Sequence, residues 1–146
     1  MKRTTIEELP RWARALLSEA RVARLGLLDD SGGPRVLPVT FVLHDGALWT
    51  AVDRKPKRDP ARMPARVRYL RRRPRAAMTV DRYDDEWSRL AWVQVIGAVT
   101  VLDAADAPEA LAALASKYPQ YARESPPGPL LRLAPERVLC WAADPG

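Results

Sequence analysis

The chain has 146 residues, 47% of them hydrophobic, which suits one domain (residues 1–146) with a single core and argues against a disordered protein. The net charge of +6 favours anionic partners, although an arginine-rich composition can also follow from coding bias. No apolar run approaches the roughly eighteen residues of a membrane span, and the N-terminus lacks the apolar stretch of a signal peptide.

The N-terminal part of the chain reads as a helix followed by short strands. Apolar residues at helical spacing predict an amphipathic helix over residues 5–20, and Pro10 favours a later start for its regular part. Residues 21–28 predict a strand, and the composition of residues 29–33 is that of a turn.

A hairpin with a basic end comes next. An apolar run over Val36–Leu43 and a second run over Ala47–Val52 flank Asp45-Gly46, a pair suited to a turn whose two inner residues need positive φ. The second run leads into Arg54-Lys55-Pro56-Lys57-Arg58. The chain has neither GxGxxG nor GxxxxGK[ST], so an anion held here would be bound by side chains such as Lys55, Lys57 and Arg58. The alternative is a solvated basic loop.

The rest of the chain predicts further strands of the same sheet and further helices outside it. A helix begins at Asp59-Pro60, or only after Pro64, and ends at Pro74. A further helix follows Asp106 and ends near Tyr118-Pro119. The predicted strands cover residues 75–81, residues 90–102 with a bulge or close approach at Gly97, residues 130–133 and residues 138–142. We therefore expect a mainly β protein, a six-stranded antiparallel barrel with about three outer helices.

The residues available for catalysis and metal binding are few. One histidine and one cysteine cannot build a Cys/His metal cluster, so no metal site is predicted. His44 lies beside the predicted turn, and Cys140 lies among apolar residues, where a buried and inert thiol is expected. A lone cysteine also forms no internal disulfide, which fits a reducing cytoplasm. No catalytic residue is assigned.

Two residues in the first hairpin strand are unusual. Pro38 removes one ladder hydrogen bond, which is tolerable at a sheet edge or where a ligand lies against the backbone. Thr40 interrupts an apolar run, and its hydroxyl needs a partner. A flat heteroaromatic ligand could provide that partner, or the protein itself could do so at an ordinary edge strand.

Longer motifs resemble one known family. The segments PVTF at residues 38–41, TAVDRKPKR at 50–58, RYLRRRPRAAMTVD at 68–81, YDDEWSRLAWVQVIGAV at 83–99, KYPQY at 117–121 and PPGP at 126–129 resemble the split β-barrel proteins of the pyridoxamine 5′-phosphate oxidase class. The match is closest to the branch that depends on the deazaflavin coenzyme F420. Asp59-Pro60 and Pro64 depart from that branch.

The resemblance implies a fold, a cofactor and an assembly. The fold would be the FMN-binding split barrel, in a homodimer with F420, or alternatively FMN, at the subunit interface. Pro38, Val39 and Thr40 would run along the ring, Thr50 and Ala51 would flank the ribityl chain, and Lys55, Lys57 and Arg58 would take the phosphate. Trp87 and Ser88 would approach from the partner subunit.

Three functions follow from this sequence. The first is a cytoplasmic oxidoreductase that uses F420, or FMN, to transfer hydride to a small conjugated or quinone-like substrate. The second is a flavin- or deazaflavin-binding protein without turnover. The third is a nucleic-acid-binding barrel that uses the basic helix of residues 62–75, but Tyr69 is the only aromatic residue interleaved with those arginines, so nucleic acid ranks last.

Overall fold

The computed structural model describes residues 2–53 and 63–145. It contains seven strands and four α-helices in these ranges. The strands are β1 (Ala23–Leu28), β2 (Pro34–Val39), β3 (Val42–His44), β4 (Ala47–Ala51), β5 (Arg75–Arg82), β6 (Ala91–Leu102) and β7 (Leu130–Ala142). The helices are α1 (Arg11–Glu19), α2 (Ala65–Arg72), α3 (Pro108–Lys117) and α4 (Pro119–Arg123).

The strands form one antiparallel sheet in the order β2-β1-β5-β6-β7-β4-β3. Strands β2 and β3 are its two edges, yet only Thr40 and Phe41 lie between them in the chain. Three steps of about 3.8 Å limit the distance between the ends of these strands to about 11 Å. The sheet must therefore curl until its edges approach each other, as a split barrel requires.

The described residues form seven strands where six were expected, and the division of the chain into strands differs from the predicted one in two places. The apolar run Val36–Leu43 breaks at Thr40-Phe41, so that β2 pairs with β1 and β3 pairs with β4 at the opposite end of the sheet. Residues 130–133 and 138–142, in contrast, belong to the single strand β7. The turn between β3 and β4 is confirmed, since Asp45 has φ 50° and Gly46 has φ 69°.

The described residues contain four α-helices where about three helices were expected. Tyr118-Pro119 ends α3 as predicted, but Pro119 also starts the short helix α4 at a position where proline needs no N–H donor. At the N-terminus, residues 6–8 form a 3₁₀ turn and Pro10 directly precedes α1. No helix in the described ranges is long and apolar enough to cross a membrane.

The main core fills the inside of the curled sheet. Leu25, Met78 and Val93 from the strands are buried there together with Leu17 of α1 and Leu70 of α2. A second buried cluster joins α3 and α4 to the other side of the β3–β4 hairpin, where Leu114 and Tyr121 pack near Trp49. The residues that join the two edges of the sheet therefore lie between two packed layers, and this fixes the walls of the site described next.

Candidate functional site

A cavity of about 380 Å³ opens where β2 and β4 end. Five of the residues predicted from the sequence line it together: Pro38, Val39, Thr40, Thr50 and Ala51. They come from β2, at one edge of the sheet, and from β4, next to the other edge, and the curl of the sheet brings these two strands side by side. Thr50 is 1% exposed, while Pro38 lies exposed on the edge strand, one of the two settings that its missing N–H allows.

Three further residues line the same cavity: Val22, Asp53 and Arg66. No motif in the sequence indicates a role for these three residues. Asp53 directly follows the second hairpin run, and Arg66 is one arginine among several on α2, so composition gave no reason to prefer it. Their presence adds a carboxylate and a guanidinium group to walls that are otherwise mainly apolar.

Arg66 lies in a partly desolvated position. Burial lowers its pKa, and the nearby charge of Asp53 opposes that effect. Its Nε is buried and has no hydrogen-bond partner within the described part of the chain. A buried donor without an acceptor is costly, and a ligand that offers an oxygen to it would recover that cost.

The hydroxyl of Thr40 has a protein partner. Its Oγ1 lies 2.7 Å from the hydroxyl of Tyr121, which in turn donates to Oδ2 of Asp53 at 2.5 Å. Of the two alternatives left open by the sequence, a partner within the protein is the one observed. Tyr121 belongs to the KYPQY motif, which the sequence singled out without a role, and it connects α4 to both strand ends that line the cavity.

Tyr118, from the same motif, fixes the residue next to Thr40. Its hydroxyl accepts a hydrogen bond from the Phe41 N–H at 3.0 Å. The hydroxyl proton faces the carbonyl oxygens of Arg21 at 2.8 Å and of Phe41 at 2.9 Å. The junction between β2 and β3 is therefore held at both of its residues, at Thr40 by Tyr121 of α4 and at Phe41 by Tyr118, which joins α3 to α4.

The remaining predicted site residues lie elsewhere. Lys55, Lys57 and Arg58 lie outside the described residues. Trp87 and Ser88 form part of a 3₁₀ turn before β6 and do not line the cavity; Trp87 is 69% exposed, and Ser88 donates to Glu86 at 2.9 Å. The resemblance implies that Trp87 and Ser88 approach the cavity of a partner subunit, and that expectation concerns a second copy of the chain.

The histidine and the cysteine considered in the sequence do not line this cavity. His44 is partly exposed next to the β3–β4 turn, and its carbonyl oxygen accepts from Trp49 Nε1 at 3.1 Å. Cys140 is partly exposed rather than buried as expected, and Arg3 donates to its sulfur at 3.6 Å. Across residues 2–53 and 63–145, no group of three His, Cys, Asp or Glu side chains is placed to hold a metal ion.

Comparison with solved structures identifies proteins of the same fold. A conserved hypothetical protein from Mycobacterium tuberculosis is similar with a TM-score of 0.76 and 15% identity, over 99% of this chain and 91% of that one. A FAD-binding protein from Mesorhizobium loti has a TM-score of 0.64 and 21% identity, over 96% of each chain. HutZ, the heme storage protein from Vibrio cholerae, has a TM-score of 0.68 and 14% identity, over 88% of this chain and 90% of that one.

Comparison of sequences defines the family. No curated protein matches the chain. The family model described as pyridoxamine 5′-phosphate oxidase, however, matches residues 9–142. Since this match includes every strand and helix described above, the chain belongs to the pyridoxamine 5′-phosphate oxidase family.

Proposed function

We propose that the protein is an oxidoreductase that binds F420, or alternatively FMN, in the cavity between the ends of β2 and β4. The observation that carries the proposal is that Pro38–Thr40 and Thr50-Ala51, far apart in the order of the sheet, line one cavity. These are the residues that the resemblance to the deazaflavin branch assigns to the ring and the ribityl chain.

The chemistry of the walls suits a planar ring with polar edges. Val39 and Ala51 offer apolar surface, while Thr40 and Arg66 offer polar groups at separate places. Asp53 directly precedes the basic segment that contains Lys55, Lys57 and Arg58, so the sequence carries its phosphate-binding candidates next to the cavity lining.

The same walls favour a flavin-type ligand over heme. One solved structure of this fold belongs to a heme storage protein, and heme iron usually takes His, Cys, Met or Tyr as its protein ligand. The described lining contains none of these four residue types. The hydroxyl of Tyr121, behind the wall, is already hydrogen-bonded to Thr40 and Asp53.

The bound coenzyme would supply the hydride, to be transferred to a small conjugated or quinone-like substrate. The protein would orient the ring against the strand ends and exclude water from one of its faces. Burial raises the pKa of Tyr121, so its hydroxyl stays protonated and keeps Thr40 and Asp53 in place. The lone cysteine fits action in a reducing cytoplasm.

We also propose that the working unit is a homodimer. Tyr83, Trp87 and Trp141 are exposed aromatic side chains, with 69%, 69% and 46% of their surfaces accessible. Large exposed aromatic residues are typical of interaction surfaces. In the dimer, Trp87 and Ser88 of one subunit would approach the cavity of the other, as the resemblance implies.

Direct titration tests the proposal. Purified protein is titrated with F420 and separately with FMN while the fluorescence of each ligand is followed, and micromolar or tighter binding of at least one is expected. Failure of both to bind contradicts the proposed function. Tight binding without oxidation of the reduced coenzyme by any quinone or enone tested supports the alternative of a binding protein without turnover.

Replacement of the basic residues tests the phosphate site. Lys57→Ala and Arg58→Ala should each weaken binding by about 1.5–3 kcal/mol, the contribution of a hydrogen bond to a charged group. Arg71→Ala removes an exposed charge from α2 and serves as a control for net charge. Equal affinities for all three variants and the wild type would show that the basic segment is only a solvated surface.

A further inference from the structure

A chain of three oxygen atoms runs behind the cavity wall. Thr40 Oγ1 lies 2.7 Å from the hydroxyl of Tyr121, and that hydroxyl lies 2.5 Å from Oδ2 of Asp53. Both distances lie within the range of hydrogen bonds between oxygens, and Thr40 and Asp53 also line the cavity. The chain therefore connects two residues of the wall through a third that stands behind it.

The direction of the hydrogen bonds in this chain is fixed by the carboxylate. An ionised carboxylate only accepts, so the single proton of Tyr121 goes to Asp53. The oxygen of Tyr121 can then only accept from Thr40, which uses the single hydroxyl proton of Thr40. Burial raises the pKa of Tyr121, so the phenol keeps the proton that it donates to Asp53.

We propose that Thr40 Oγ1 is thereby held as a hydrogen-bond acceptor for the bound ligand and selects a ligand that presents an N–H group to this wall. This inference rests on the proposed function, because it concerns the same cavity. The pyrimidine-dione ring of flavins and deazaflavins carries such an N–H group between two carbonyl groups. A ligand with an alkylated nitrogen or a carbonyl oxygen at that place would meet lone pairs instead.

The two tyrosines of the KYPQY motif position Thr40 and the residue that follows it. Tyr121 directs the proton of Thr40 away from the ligand, and Tyr118 holds the backbone N–H of Phe41, the next residue, at 3.0 Å. The two rings pack edge to face, with centroids 5.5 Å apart. Tyr121 is therefore a positioning residue, which acts on the ligand through Thr40.

The test compares two ligands that differ by one methyl group. Wild-type protein and Thr40→Val are titrated with 5-deaza-FMN and with its N3-methyl derivative, and the ratio of the two dissociation constants is measured for each protein. Valine keeps the volume of threonine, so any steric cost of the methyl group is the same in both. The preference for the unmethylated ligand should fall by about three- to tenfold in Thr40→Val, since one hydrogen bond is lost.

Further variants test the positioning role and the specificity of the effect. Tyr121→Phe frees the proton of Thr40, so the preference should fall in the same direction. Thr100→Val, which makes the same change at an exposed strand position, should leave the preference at the wild-type value. Denaturant unfolding of each variant verifies that it is folded under the conditions of the titration.

The outcomes separate this inference from the proposed function. Binding of 5-deaza-FMN with the same preference in wild type and Thr40→Val overturns the acceptor role of Thr40 and leaves the proposed function intact. If neither ligand binds the wild-type protein, the proposed function fails and the acceptor role fails with it. An unchanged preference in Tyr121→Phe, together with a lowered one in Thr40→Val, overturns the positioning role of Tyr121.

Discussion

Lys117 carries its ammonium group over an aromatic ring in the protein interior. Its Nζ lies 3.9 Å from the ring centroid of Phe41 and 5.4 Å from that of Tyr118, and both contacts attract a cation. The same Nζ is buried without a hydrogen-bond partner among the described residues. Burial, aided by the charge of Arg21, lowers the pKa of Lys117 to about 8.

This lowered pKa predicts a pH dependence of stability. Between pH 8 and 10.5 the unfolded chain holds more protons on Lys117 than the folded one, so its contribution to the free energy of unfolding rises with pH. The free-energy cost of burying the charged ammonium group of Lys117 is complete below this pH window and absent above it. Wild type should therefore gain stability relative to Lys117→Met on going from pH 7 to pH 9.5, as measured by urea unfolding.

A control for that measurement is Lys2→Met, which removes an exposed ammonium group. A stability difference between wild type and Lys117→Met that is the same at both pH values would contradict the prediction. It would mean that water reaches Nζ in the folded protein.

At the scale of elements, Tyr118, which joins α3 to α4, allows a test of how the helical segment supports the strand junction. Tyr118→Phe leaves the Phe41 N–H without its acceptor and removes the donor facing two carbonyl groups. We expect the free energy of unfolding to fall by about 1–3 kcal/mol. Thr100→Val, which removes a hydroxyl group at an exposed position, is the control. Equal stability of the two variants in guanidinium unfolding would contradict the assigned hydrogen bonds.

A second element-scale test concerns the bulge between β6 and β7. The register of this pair shifts between Ile96 and Gly97, as the glycine in the predicted strand indicated. A Cβ atom added at Gly97 would lie 1.8 Å from the carbonyl oxygen of Ala134, a contact that only backbone movement can relieve. Gly97→Ala should therefore lower the free energy of unfolding by at least about 2 kcal/mol.

The control for Gly97 is Gly26, in the interior of β1. A Cβ atom there would meet its nearest neighbour, the carbonyl oxygen of Ala77, at an ordinary 3.8 Å. Gly26→Ala should change stability by no more than about 0.5 kcal/mol. Similar losses in the two variants would show that the cost comes from replacing any strand glycine, and not from the close approach at the bulge.

The sequence predicted the strands and helices well where the pattern of apolar residues within a single segment was sufficient. Strand β6 alternates buried Val93 and Val95 with more exposed neighbours, and its predicted bounds differ by one residue from those observed. The division of Val36–Leu43 into two strands has no such signal. Both parts are apolar, and only the pairing with β1 on one side and with β4 on the other tells them apart.

The candidate site was predictable in part for the same reason. Thr40 and Pro38 could be recognised because each breaks a local pattern of an apolar strand. Tyr121 and Arg66 could not be assigned to the cavity, because their contacts join segments far apart in the chain: Thr40 and Tyr121 are separated by 81 residues. A motif such as KYPQY reveals that a residue matters, but not which segment it meets.

For the whole molecule, the proposed dimer has a measurable consequence. Sedimentation equilibrium should return twice the mass of one chain, and a monomer at all concentrations would contradict the assembly. The site shared by two subunits is tested with mixed dimers of Lys57→Ala and Trp87→Ala. Each homodimer should bind the coenzyme weakly. In the mixed dimer one cavity has both Lys57 and the Trp87 of the other subunit, so half of the sites should regain the affinity of the wild type.

The two-residue connection at Thr40-Phe41 ties together the strands at the opposite ends of the sheet order. Neither β2 nor β3 can separate from the sheet without displacing the other. Local opening of the barrel between these two edge strands must therefore involve both of them at once. A molecule bound against the ends of β2 and β4 would hold these two edge regions of the sheet together. Occupancy of the cavity would then slow the opening of the entire barrel. Dissociation of the coenzyme and separation of the two sheet edges would become one cooperative event.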